Sequence, residues 1–181
     1  MERAPLIVGF TGPRRVADAA GARAAIAAAL RRLAAAAGVP LAAVSSAASA
    51  TDTLFAEAAL AQGLAWTLLL PRPLAECKRE FDAAGWQRLE RLLPRAADMV
   101  VEPPQPTQED AYLTCGRRTV DRSGAMIAFW DGNAAARKGG TAEIVAYLRG
   151  QQKPLIWIHA ATGAITAERL DRLAAAGGGP N

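Results

Sequence analysis

The sequence predicts an α/β fold: an open, mainly parallel sheet of about six strands with helices on both faces. Two observations carry that prediction. Apolar runs such as Leu6-Ile7-Val8, Leu68-Leu69-Leu70 and Ala125-Met126-Ile127-Ala128-Phe129-Trp130 do not alternate with polar residues, which is the pattern of strands buried on both faces. Between them lie longer alanine-rich stretches closed by glycine or proline, so strand and helix signals alternate along the chain. The 181 residues suit one domain, with a core over about 5–160 and a C-terminal helix over about 166–176. A hydrophobic fraction of 51% is ample for one buried interior.

Pro5 to Phe10 reads as the first strand, ended by Thr11-Gly12-Pro13, and Val16 to about Ala37 as a long helix stopped by Gly38 and Pro40. Leu41 to Ser45 is a second strand. Ser45, Ser46, Ser49, Thr51 and Asp52 form a polar loop before a helix from Thr53 to about Gln62, and Ser49, Thr51 or Asp52 either caps that helix or faces a ligand. Ala65 to Leu70 is a third strand, closed by Pro71-Arg72-Pro73, and Leu74 to Leu93 is an amphipathic helix with one irregularity at Gly85-Trp86. Asp98 to Val101 makes a short fourth strand. Glu102-Pro103-Pro104-Gln105-Pro106 is stiff and extended, a loop or lid. Glu109 to about Arg122 is helical and carries Tyr112 and the pair Arg117-Arg118. The fifth strand, Ala125 to Trp130, ends at Asp131-Gly132, and after a short insert Gly139-Gly140 opens into a helix from Thr141 to Leu148. Pro154 to His159 is a sixth strand, and Thr166 to Ala176 a terminal helix.

In a parallel sheet with right-handed crossovers every strand-to-helix loop falls on one edge. That edge would gather Thr11, Gly12, Arg14, Arg15, Ser45, Ser46, Asp52 and Arg72, and from the second half Asp131, Gly132, Arg137, Lys138, Gly139, Gly140 and Thr141. So uneven a share of cations points to an anion, with a nucleotide or sugar phosphate as the ordinary candidate. The Gly-Gly-Thr turn supports this, because a helix N-terminus presents free amides and the positive end of the dipole. A plain structural turn explains the same glycines. The insert Asn133 to Lys138 is expected to project over the crevice as a mobile flap that brings Arg137 and Lys138 down on the anion.

Three stretches together carry a resemblance: Val8-Gly9-Phe10-Thr11-Gly12 with Arg14-Arg15; Ser45-Ser46 leading through Ala50-Thr51-Asp52 to Leu54-Phe55-Ala56-Glu57; and Ala128-Phe129-Trp130-Asp131-Gly132 with Lys138-Gly139-Gly140-Thr141-Ala142-Glu143. Their order resembles that of the SLOG superfamily, the Rossmann-like group that contains the lysine-decarboxylase-like LOG proteins and the DNA-processing protein A family. The resemblance runs from about Leu6 to His159 and implies a Rossmann-like domain that binds or senses a nucleotide-derived phosphate ligand. LOG enzymes proper are phosphoribohydrolases that cleave the base from a nucleoside 5′-monophosphate with a helix arginine and the glutamate of a glycine motif. By that resemblance Glu143, Arg117 and Arg118 would be the catalytic residues of an N-glycosidase. Here the motif lacks its proline, third glycine and full spacing. Glu143 reads equally as a first-turn acid favoured by the helix dipole, and the two arginines as a solvated helix face.

Other classes fit less well. The net charge is +4, but basic and acidic residues interleave without a stripe, which argues against nucleic acid as a partner. Gly9-Phe10-Thr11-Gly12 lacks the dinucleotide glycine spacing, so no cofactor is called for. Cys77 and Cys115 have no partner spacing, and His159, the only histidine, reads as a half-buried imidazole rather than a base. Reduced cysteines and the lack of an apolar leader or span are expectations of a cytoplasmic protein. Alanine-rich helical faces, with the pairing common among LOG-like proteins, lead us to expect a homodimer.

Overall fold

A computed structural model of the chain describes residues 3–47, 50–134 and 137–173. Seven strands form one sheet in the order β4-β3-β2-β1-β5-β6-β7. Strands β1 (Leu6–Thr11), β2 (Leu41–Ser46), β3 (Ala65–Leu70), β4 (Asp98–Val101), β5 (Ala125–Trp130) and β6 (Leu155–His159) are parallel. The fold class is as the sequence predicts, with one strand more. Strand β7 (Ile165–Glu168) pairs antiparallel with β6.

The continuous apolar runs are explained by two buried faces. Along β5, Ala125, Ile127 and Phe129 join a core built with α1 (Ala19–Ala37), α2 (Ala50–Ala61) and α4 (Ala83–Leu92). Met126 and Ala128 point the other way, under α5 (Gln108–Arg122) and α6 (Thr141–Gly150). Alternate side chains thus face opposite cores, and no position can be polar. Phe10 and Phe55 stack with ring centroids 4.9 Å apart, and Trp66, 1% exposed, donates its indole N–H to Ser45 Oγ at 3.0 Å. A buried aromatic of this size contributes roughly 1.5–3 kcal/mol by leaving water, and the indole donor is satisfied.

Boundaries moved where caps outweighed periodicity. The first helix starts at Ala19 rather than Val16, because Asp18 accepts from the Gly21 amide at 2.9 Å, and it ends on Gly38 in the left-handed region. Helix α2 begins at Ala50, before the expected Thr53, and Ser49 lies outside the described residues. The expected helix from Leu74 to Leu93 is interrupted. A short α3 (Leu74–Cys77) passes into a 3-10 turn (Lys78–Glu80), Phe81 is extended, and Asp82 caps α4 through the Gly85 amide at 2.7 Å. The terminal helix expected from Thr166 is a correction: Ile165 to Glu168 form β7, and helix begins only at Asp171. Thr166 and Glu168 resemble a helix start locally, but a turn at Gly163 with φ of 70° folds the segment back to cover the edge of β6.

Candidate functional site

Strand order reverses between β1 and β5: the chain first builds outward to β4, then returns across the sheet through α5. In a doubly wound sheet the crevice at that switch point, beyond the carboxyl ends of the strands, is where ligands bind. A cleft of 680 Å³ opens there, within the range of small-molecule sites.

From β1 come Thr11, Gly12, Arg14 and Arg15, and from β2 and α2 come Ser46 and Asp52. Asp131 follows β5, and Arg137 to Thr141 supply the glycine turn and the start of α6. Of the remaining expected residues, Ser45 is fully buried beside Trp66, Gly132 lines an adjoining open depression that shares Trp130 with the cleft, and Arg72 is outside the cleft.

Two glycines are dictated by close approach. Gly139 has φ of 75°, and a Cβ there would stand 3.0 Å from the Leu113 amide nitrogen and 3.4 Å from the Glu109 carbonyl, so the turn lies directly against α5. A Cβ on Gly12 would fall 2.5 Å from Thr51 Oγ1, which donates to the Pro13 carbonyl at 2.7 Å and ties the β1 loop to α2.

At the head of α6 the amides of Thr141 and Ala142 have no acceptor among the described residues. Glu143 bends back so that its Oε2 accepts from the amide of Gly139, the residue before the N-cap Gly140, at 2.8 Å, while Oε1 lies 3.8 Å from Arg117. Arg118 sits 3.4 Å from buried Glu102, on the extended segment after β4. Glu143, Arg117 and Arg118 therefore stand beside the glycine loop and along α5, outside the main cleft.

The insert is anchored at both described ends. Asn133 donates its backbone N–H and its Nδ2 to Asp131, each at 2.9 Å, and its carbonyl accepts from Trp130 Nε1 at 2.9 Å. These bonds hold the Asp131 carboxyl below its usual value. Lys138 hydrogen-bonds Asp110, which holds that carboxyl low and the ammonium high. Ala135 and Ala136 lie outside the described residues. Arg15 and Arg137 form no ion pair among the described residues.

Sequence reasoning missed part of the site. Glu109, Tyr112, Cys115, Gly116 and Thr119 recur at helical spacing and present one face of α5 to the cleft; that period was legible. Burial pushes the Cys115 thiol up to about 12, partly offset by the Ser46 hydroxyl, so it is no nucleophile. Glu80 also went unnoticed. It hydrogen-bonds both Arg72 and the Tyr112 hydroxyl and lies 3.8 Å from Arg14. His159 stacks on Trp157 with centroids 3.8 Å apart. No helix among the described residues is long and apolar enough to cross a membrane.

No family model and no curated protein matches the sequence. Among solved structures, DNA processing protein A (DprA) from Streptococcus pneumoniae superposes with a TM-score of 0.59 over 96% of this chain, at 17% identity. The chain spans 57% of that structure's length. At such identity the likeness is one of fold, and the chain carries a DprA-like, Rossmann-like α/β fold.

Proposed function

We propose that this domain binds or senses a nucleotide-derived ligand through its phosphate, in the cleft between the ends of β1 and β5. One observation supports the reading above others: the Thr141 and Ala142 amides and the cations Arg15 and Arg137, none of them paired among the described residues, belong to a single cleft at the switch point. The phosphate would sit on the head of α6, and the aromatic surface of Phe10, Tyr112 and Trp130 would take the apolar part of the ligand.

A thermal-shift and calorimetry screen of nucleoside mono- and diphosphates, cyclic dinucleotides and ADP-ribose derivatives tests it. Ligand at a hundredfold excess over Kd stabilises by about 2.7 kcal/mol, or roughly 5–10 °C in a chain this size. Failure of every phosphate ligand to stabilise would sink the reading.

The alternative is an N-glycosidase acting on a nucleoside 5′-monophosphate or a related nucleotide. It would draw on Glu143 and Arg117, 3.8 Å apart beside the loop, and would need the carboxylate to leave the Gly139 amide. Chromatographic release of free base, abolished in E143Q, is its signature. The fold neighbour's name concerns DNA processing, so a phosphodiester belongs in the same screen. The proposal also takes the protein as cytoplasmic and as a homodimer through alanine-rich helical faces; light scattering that returned a monomer at micromolar concentration would contradict the latter.

A further inference from the structure

Glu80, with its side chain 15% exposed, joins three elements at the mouth of the cleft. Its Oε1 accepts from Arg72 Nη2 and its Oε2 from the Tyr112 hydroxyl. Arg14 Nη2 approaches the same Oε2 at 3.8 Å, beyond hydrogen-bond reach, and its guanidinium lies 4.8 Å from the centroid of the Tyr112 ring. Both carboxylate oxygens are committed to closer donors, so Arg14 is the partner that Glu80 holds least firmly. Burial, then the Glu80 hydrogen bond, push the Tyr112 hydroxyl up and keep it a donor. Arg72 is also faced by Glu76 at 3.7 Å and lies outside the cleft, whereas Arg14 is 39% exposed and lines it. One arginine is bound into the framework. The other can be given up.

We propose that Glu80 is the resident counter-anion of the cleft, parking Arg14 on Tyr112 until a phosphate monoester takes it, and so setting how tightly the cleft holds a monoester. This rests on the cleft being an anion site. The exchange is a competition of two anions for one guanidinium. A monoester brings a charge of about −1.5 to −2 and three acceptor oxygens, and it can engage the guanidinium fork bidentately. A diester brings a single charge, no more than the carboxylate it must displace, and gains little by the exchange.

Calorimetric titration of the whole chain at low salt tests this, with AMP as the monoester probe and the 5′-unphosphorylated dinucleotide ApA as the diester probe. Wild type should prefer AMP. In E80Q the competitor is neutral, so AMP should tighten about fivefold and ApA by less, a gain that R14A/E80Q abolishes. Y112F frees Oε2 for Arg14 and should weaken AMP about threefold, opposite in sign to E80Q. An unchanged AMP affinity in E80Q, or a gain that persists without Arg14, overturns the role of Glu80 while AMP still binds. AMP binding to no variant, wild type included, overturns the anion cleft itself and this inference with it.

Discussion

Replacing Gly139 by alanine separates the two constraints on the glycine turn. An L-residue in the left-handed region costs roughly 1–2 kcal/mol, and the narrower unfolded ensemble returns roughly 0.4–1 kcal/mol. Gly38 experiences only that strain: its φ is 62° and an added Cβ meets nothing within 4 Å. G38A should therefore lose about 1 kcal/mol. At Gly139 the φ is 75°, and the added Cβ also meets the Leu113 nitrogen at 3.0 Å and the Glu109 carbonyl at 3.4 Å. Those are backbone atoms that no rotamer can move, and overpacking of this kind adds roughly 1–3 kcal/mol. G139A should lose about 3 kcal/mol, which at roughly 3 °C per kcal/mol lowers Tm by about 9 °C against about 3 °C for G38A. Urea and thermal unfolding of both variants measure the difference. The reasoning fails if G139A is no less stable than G38A, for then the turn does not lie against α5.

Arg137→Ala with Lys138→Ala should weaken AMP by about tenfold at low salt with little loss of stability, most of it from Arg137, because Lys138 already has Asp110; unchanged affinity would leave these as solvated charges. Glu143→Gln should leave AMP affinity within about twofold, since the carboxylate is outside the cleft and an amide oxygen still accepts from Gly139; calorimetry showing lost binding would return Glu143 to the ligand. The hydrogen bond to Arg149 holds the Glu168 carboxyl below its ordinary 4.5. Its contribution is present in full above that value and fades as pH falls from 4.5 through the lowered native value, so E168Q should flatten the acid limb of stability measured against pH; identical limbs would contradict the pairing. Burial raises both thiols, so a thiol reagent at pH 8 should label Cys77 and Cys115 only as the chain unfolds; rapid labelling of the native protein would refute that.

Strands β1, β2, β3, β5 and β6 and the edge on which their loops gather were legible in the sequence, because a strand buried in the sheet leaves a continuous apolar run; β4, an exposed edge strand, was legible only as the short run Met99 to Val101. The start of α6 was legible for a similar local reason, two glycines followed by a helix-forming run. Strand β7 was not, since Ile165 to Glu168 are a strand only because β6 offers an unpaired edge beside them. The switch point was decided by where α5 returns the chain, which no local period encodes. So was the division of the cations. Arg14 and Arg72 meet Glu80, Lys138 meets Asp110 and Arg118 meets Glu102, while Arg15 and Arg137 stay unpaired among the described residues. Charge alone placed every one of these cations at a ligand or in solvent. Only the packing of α3, α5 and the glycine turn into one corner decided which of them an incoming anion would find free, because ion pairing depends on distances of a few ångströms between residues far apart in the chain.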